Sequence, residues 1–261
     1  KTLVKGHDQI AEVGKAVAGT DRIIQAGYQH RYSNLLQKVA SLIEHGAIGE
    51  ISKIECQWNR NGDWRRPVPA PEYERQVNWR MYREYSGGLA AELSSHQMDI
   101  VEWIMDTRPA RIMGAGGIDY WKDGRETRDN IHLLVQYENG VTASYSSLTT
   151  NAHEGFRMTF LGTKGTIVTS LEEAWVSTDG KGEEAPEDVD AVSGATMSLG
   201  SGPGYRIKPA RFNPTRNALA GFRKSVLSNS APAASVDYAL ITARTVQLSL
   251  DAMDSGSVVS F

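Results

Sequence analysis

With one cysteine among 261 residues, the sequence cannot close a disulfide within the chain. That cysteine, Cys56, sits in an alternating run, where a packed strand thiol is expected rather than a nucleophile. No apolar run approaches membrane-spanning length. No long run of Lys or Arg exists and the net charge is −3, so neither nucleic acid nor a membrane surface is an expected partner. No Gly-x-Gly-x-x-Gly turn opens a helix. Gly114-Ala115-Gly116-Gly117 leads into Ile118-Asp119-Tyr120, which reads as strand or turn, and is rejected as a phosphate loop. Read bare, the chain therefore lacks a complete dinucleotide site. No internal repeat is visible. No signal-peptide pattern opens the chain, so a cytoplasmic location is expected. Lys1 is not an initiator Met, however, so the chain reads as processed, cut or trimmed, which leaves periplasmic export open.

What is present is ordinary for a globular protein: 40% apolar and 23% charged residues, enough for one large domain or two small ones. Gly6 to Ala18 has helical spacing through Ile10, Val13 and Val17, and Gly19 stops it. Arg22 to Gly27 reads as a short strand, which makes an α/β fragment too small to stand alone. Asn34 to His45 is a second helix with Leu35, Leu36, Val39, Leu42 and Ile43 on one face. Ile51 to Trp58 alternates as a strand with Ile54, Cys56 and Trp58 on its packed side. Asn59 to Arg83 is rich in Trp, Tyr and Arg, and Pro67, Pro69 and Pro71 forbid a regular helix there. Leu89 to Met105 is a third helix. Ile131 to Tyr137 and Val141 to Tyr145 flank Glu138-Asn139-Gly140, a hairpin signal, and Arg157 to Leu161 pairs with Thr166 to Thr169. Gly180 to Tyr205 reads as an exposed loop. Two helices follow, near Thr215 to Leu227 and Val236 to Met253. The fold class is α+β: an open, mostly antiparallel sheet with helices on one face. Its other face calls for cover by a second subunit, in a homodimer or homotetramer.

Three groups of residues could carry chemistry. Glu92, His96 and Asp99 are spaced i, i+4 and i+7, which puts them on one face of an α-helix. A carboxylate beside an imidazole can fix its tautomer and raise its basicity, and His96 could then take a proton from a hydroxyl. The same three residues could merely satisfy one another, or form part of a metal site that lacks clear further ligands. Tyr28 to Tyr32 follows the expected strand, where ligands often lie, or is a polar connector. Trp64, Trp79, Arg80 and their neighbours suit a polar ring, with indole faces on its apolar side and guanidinium forks on its oxygens. They suit a subunit contact equally well.

Ser86-Gly87-Gly88-Leu89-Ala90-Ala91-Glu92-Leu93-Ser94-Ser95-His96-Gln97-Met98-Asp99 resembles the active-site helix of the glucose–fructose oxidoreductase / inositol dehydrogenase / rhizopine-catabolism (Gfo/Idh/MocA) oxidoreductase family. Ala26 to Tyr32, Ile43 to Ile51 and Phe160 to Thr166 resemble that family's interdomain segment, helix-end turn and late hairpin, in the right order. The resemblance implies residues 1–30 as the tail of a Rossmann-type nucleotide domain. Residues 31–261 would be a substrate and dimerisation domain of the glyceraldehyde-phosphate-dehydrogenase C-terminal type. The glycine-rich loop would precede Lys1. It implies NAD or NADP as cofactor, and dehydrogenation of a small carbohydrate or cyclic polyol, with no metal. Lys1 would match the lysine of the family's Glu-Lys-Pro motif, here followed by Thr2, and would touch cofactor and substrate. His96 would be the acid–base, with Glu92 and Asp99 orienting the site; Tyr28 and Arg31 would face the cofactor; Arg31, Trp64, Trp79 and Arg80 would contact substrate. Glu92 departs from the family's common Asp. Some relatives turn the same oxidised-sugar chemistry to glycoside hydrolysis or elimination, recycling the nicotinamide, and others are non-catalytic; both outcomes stay open alongside the dehydrogenase.

Overall fold

A computed structural model describes residues 2–62, 64–178, 204–209 and 213–261. Helix α1 (His7–Ala18) ends at Gly19 as its pattern predicts, yet none of its residues is buried. It leans on the C-terminal helix, where the Gly6 N–H donates to Gln247 Oε1 at 3.0 Å and His7 Nε2 meets Asp251 Oδ2 at 2.7 Å. The strand expected at Arg22–Gly27 contracts to one isolated antiparallel bridge between Gln25 and Ser235. A sheet strand needs neighbours along its edges, and the described residues offer none there.

Helix α2 (Asn34–Glu44) starts where the Ser33 side chain accepts the Leu36 N–H, and it buries Leu35, Leu36, Val39 and Leu42. The turn after it is built on Gly49 at φ +71°, where a Cβ would stand 2.3 Å from Thr163 Oγ1. Strand β1 (Ile51–Asn59) buries Ile54 and Cys56 in alternation. The excursion that follows holds only single turns, among them α3 (Glu74–Val77), as its prolines require.

Helix α4 (Ser95–Met105) is entered through one π turn, Ala90–Ser94. After it come β2 (Pro109–Gly117), β3 (Asn130–Tyr137), β4 (Thr142–Leu148), β5 (Phe156–Gly162), β6 (Gly165–Thr169), β7 (Ala174–Thr178) and β8 (Gly204–Ile207). Helices α5 (Pro214–Ser228) and α6 (Val236–Ser255) precede the short β9 (Val259–Ser260). Most of the loop expected at Gly180–Tyr205 lies outside the described residues. Its end is not loop: Gly204 and Tyr205 open β8 and pair with β7.

Among the described residues the strands form one sheet in the order β8-β7-β6-β5-β1-β4-β3-β2-β9. Only β1 and β4 run parallel; every other pair is antiparallel. The β3–β4 hairpin closes at Gly140, with φ +87°, as the Asn-Gly signal predicts. Ile131, Leu133 and Val135 of β3 point into the core while His132, Leu134 and Gln136 face outward. The inward face packs against α4 and α6, with Met98, Ile100, Val101, Val246, Leu248 and Met253 in the shared core. Each such side chain contributes about 1.5–3 kcal/mol on leaving water. The glycines at 114–117 lie in β2, because a Cβ on Gly114 would meet Leu133 Cδ2 at 2.4 Å and Met253 Cγ at 3.1 Å. The fold is thus an open, mostly antiparallel α+β sheet with its helices on one face.

Candidate active site

The segment after Gly27 makes a single 3₁₀ turn, Gln29–Tyr32, which points His30 and Arg31 inward. Arg31 is 1% exposed. Its Nε donates to Asp99 Oδ1 and Oδ2 at 2.9 and 3.0 Å, its Nη1 donates to the Ala233 carbonyl at 3.2 Å, and Tyr238 stacks on it at 4.2 Å. So enclosed, the guanidinium braces the 3₁₀ turn to α4. Asp99, expected to orient His96, spends both carboxylate oxygens on that brace. Burial pushes the Asp99 carboxyl up to about 6 although Arg31 opposes the shift, so it stays ionised at neutral pH.

One turn along α4, Glu102 is also enclosed, and its carboxyl oxygens meet the hydroxyls of Thr242 at 2.5 Å and Thr245 at 2.7 Å. Burial pushes Glu102 up to about 8, with the neighbouring Asp99 charge adding to it.

The entry to α4 is tight. Gly88 takes φ +59°, and a Cβ on Gly87 would lie 2.9 Å from that of Ala91. The π turn then widens the spiral by one residue, so Glu92 is rotated relative to His96 and Asp99. The three residues expected on one face therefore separate by partner. Glu92 accepts from Arg80 Nε at 2.8 Å, and Arg80 stacks on Trp79 at 4.2 Å. The excursion thus brings Trp79 and Arg80 to Glu92. Trp64 instead packs on the main core with Arg60 over its ring at 5.2 Å. Lys1 lies outside the described residues.

His96 is 7% exposed and stands in a cage of rings. Tyr28, His30 and Trp58 lie with centroids 5.7, 5.2 and 5.8 Å from it. Phe156 closes the cage against Trp58 at 5.0 Å and His30 at 5.9 Å. The phenol of Tyr28 is raised far above its ordinary range by burial, and by the charges of Asp99 and Glu102, so it stays protonated. Burial lowers His30 to about 4, so it is neutral at physiological pH. An imidazole in this cage, with a carboxylate–guanidinium pair at either end of its helix turn, can exchange a proton with a hydroxyl laid against the aromatic walls.

Sequence reasoning missed four participants. His30 carried no signal beyond its place beside Arg31. Trp58 was placed on the packed side of its strand, without a role. Phe156, far away in sequence, had none, and Glu102 read as an ordinary polar helix position. Among the described residues no three His, Cys, Asp or Glu side chains stand together as a metal site, and no helix is long and apolar enough to cross a membrane.

The GFO/IDH/MocA C-terminal domain matches residues 36–168. The Bacillus subtilis (strain 168) protein "Uncharacterized oxidoreductase YfiI" is 24% identical over 69% of this chain and 44% of its own length. The Escherichia coli (strain K12) 2,7-anhydro-N-acetylneuraminate hydratase is 23% identical over 66% of this chain and 44% of its own. The chain spans about half the length of the curated relatives it matches. Among solved structures, aldose-aldose oxidoreductase from Caulobacter crescentus superposes with a TM-score of 0.73 at 18% identity, over 97% of this chain and 68% of that one. The super-repressor mutant of Gal80p from Saccharomyces cerevisiae superposes at 0.74 and 16% identity, covering the same shares of the two chains. At such identities the shared property is the fold.

Proposed function

The chain belongs to the GFO/IDH/MocA family, and on that premise we propose that it is the substrate half of a nicotinamide-dependent oxidoreductase acting on CH–OH groups of a sugar or cyclic polyol. The observation that carries the proposal is the cage around His96: an acid–base side chain on the helix with the family pattern, walled by Tyr28, Trp58 and Phe156, whose flat faces suit a sugar ring.

The described residues do not themselves build a dinucleotide site. Gly114–Gly117 are packed inside β2, where a Cβ on Gly116 would meet the Asn130 carbonyl at 2.5 Å, and α1 begins without a glycine-rich phosphate turn. NAD or NADP, held by a nucleotide domain of which residues 1–30 are the tail, would supply the hydride acceptor. This chain's own share is the substrate side. His96 takes the proton of the reacting hydroxyl, Glu92 and Arg80 fix the far end of the helix turn, and Trp79 extends the wall. Lys1 is the further candidate at the boundary with the cofactor. The outward sheet face, with Leu134 and Met113 exposed, fits a homodimer or homotetramer contact.

A second reading has one observation in its favour. Glu92 is one methylene longer than the family's common Asp and is held by Arg80. A carboxylate placed that way suits transient oxidation followed by elimination or hydration, with nicotinamide recycled, and one of the relatives is a hydratase.

One assay series separates the readings. The protein with its nucleotide-binding portion is incubated with sugars, polyols and glycosides plus NAD or NADP, and reduced cofactor and sugar products are followed together. Stoichiometric reduced cofactor is expected. Product without net reduction would transfer the conclusion to the recycling reaction, and binding without either would remove the enzyme reading. His96→Ala should lower the rate by about 10²–10⁴-fold; a loss under about tenfold would exclude His96 as the base.

A further inference from the structure

His30 is 5% exposed, and neither of its ring nitrogens has a hydrogen-bond partner. Native proteins rarely leave such groups unmet, because the buried nitrogen gives up its bonds to water for nothing in return. Of the buried polar groups nearby, Arg31 is paired with Asp99 and Glu102 with two threonines, while the Tyr28 hydroxyl, in the same cage as His30, also lacks a hydrogen-bond partner. Unmet polar atoms gathered in the cage around His96 point to a partner supplied during function. Its nearest ring is His96, at a centroid separation of 5.2 Å and an interplanar angle of 79°. Imidazole nitrogens lie about 1.2 Å from the ring centre, so nitrogens turned to face each other at that separation would stand roughly 2.8 Å apart, an ordinary hydrogen-bond length.

We propose that His30 is a positioning residue for His96, which accepts a hydrogen bond from the His96 ring, most strongly once that ring has taken the substrate's proton. The inference rests on the acid–base role of His96 proposed above. The proton stays on His96. His30 accepts a hydrogen bond and no proton, because burial keeps it a poor base. The substrate's proton goes to the His96 nitrogen that faces the hydroxyl; the nitrogen that faces His30 keeps its own proton throughout, and its hydrogen bond to His30 strengthens once the ring is charged, which favours the charged state formed along the reaction over the neutral one. The walls on His30's other sides, Trp58 and Phe156, offer no competing acceptor or charge.

Among the described residues, the titratable and charged groups near His96 include Tyr28, held protonated, and His30 from the segment before α2, and Arg31 with Asp99, Arg80 with Glu92, and Glu102 from the helix itself and its braces. Trp58 of β1 and Phe156 of β5 do not titrate. Replacing His30 leaves all the charged groups in place.

The test compares the parent with His30→Phe and His30→Asn. Phenylalanine keeps a flat ring and removes both nitrogens; asparagine restores an acceptor. His30→Phe should fold with a melting temperature no lower than the parent's, since it deletes an unsatisfied polar ring. In the nicotinamide-dependent assay it should lower kcat by about 10–100-fold with KM within about threefold. The acid limb of the pH profile should move down by roughly one unit, which corresponds to losing one hydrogen bond to a charged ring. His30→Asn should recover at least half of both effects. Independently of turnover, the His96 pKa read from imidazole ¹⁵N shifts should fall by the same roughly one unit in His30→Phe. An unshifted His96 titration would overturn the proposal even if activity fell, because the loss would then come from packing or substrate contact. A shifted titration in a protein that turns over no sugar would keep the His30–His96 pair and remove the dehydrogenase reading instead.

Discussion

Replacing Glu102 by Gln tests the energetics of the helix that carries the site. Each threonine hydroxyl that meets the Glu102 carboxyl has one proton, and each also lies beside a carbonyl four residues back: Thr242 at 3.2 Å from Tyr238 O, and Thr245 at 3.1 Å from Ile241 O. A protonated carboxyl satisfies this set. It donates to one threonine, which passes its own proton to the carbonyl, and it accepts from the other. An ionised carboxylate draws both threonines to itself and stands as a second negative charge near Asp99, with one cation, Arg31, between them. Burial is the main reason the group is pushed up to about 8, with the Asp99 charge adding to it and the threonine hydroxyls and Arg31 opposing it. An acid whose native pKa lies above its unfolded value makes the native state the better proton binder. Its contribution is fully present below about pH 4.5 and is lost as pH rises to about 8. The loss should be of the order of 3 kcal/mol by pH 7 and about 5 kcal/mol above pH 8, at about 1.4 kcal/mol per unit. Glu102→Gln keeps the shape, one donor and one acceptor, and cannot ionise. Its stability should match the parent's within about 1 kcal/mol at pH 5 and exceed it by several kcal/mol at pH 8.5. Asp99 contributes a similar falling slope between its ordinary pKa and about 6, but it is common to both proteins and cancels in the difference. Urea unfolding of both proteins from pH 5 to 9, followed by tryptophan fluorescence, reads this directly. Parallel stability curves would refute the assignment of a neutral Glu102.

Three further outcomes follow from the same structure. Arg31→Met should cost about 3–5 kcal/mol of unfolding free energy by stranding the Asp99 charge, and Arg31→Met with Asp99→Leu should recover most of it, measured as urea midpoints; a single-variant loss below about 1 kcal/mol would contradict a buried pair. Gly49→Ala, at φ +71° and with Thr163 in the way, should lower stability by about 1–3 kcal/mol and the melting temperature by several degrees. Cys56 is buried and its thiol is raised well above the ordinary range by burial, so it should react with a disulfide reagent at neutral pH only at the rate of unfolding, and rapid labelling of the native protein would place it wrongly.

The sheet was legible because its signals are local and periodic. Ile131 to Tyr137 alternates, Asn139-Gly140 fixes the turn, and Ile54 with Cys56 marks the packed side of β1; each implies its structure from a few adjacent residues. The strand expected at Arg22–Gly27 failed for the opposite reason: a strand exists through neighbours, and its own residues cannot report whether neighbours are there. Spacing also misjudged the helix that carries His96. Counting i, i+4, i+7 assumes one pitch throughout, and the π turn at Ala90–Ser94 breaks that assumption between Glu92 and His96. No residue type in Ala-Ala-Glu-Leu-Ser announces a π turn.

The harder distinction lies among the buried polar side chains, and composition does not touch it. Arg31, Asp99, Glu102 and His30 read alike in the sequence, as polar residues near a motif. In the folded chain the first three meet all the partners their chemistry calls for, and so hold the 3₁₀ turn, α4 and α6 in one piece. His30 meets none, at a site where a single water or hydroxyl would have sufficed. Removing a satisfied group should cost stability; removing an unsatisfied one should not. If Arg31→Met loses several kcal/mol and His30→Phe loses nothing while His96 changes its titration, residues adjacent in sequence will have been separated into a structural brace and a positioning group by one criterion, the completeness of their hydrogen bonds.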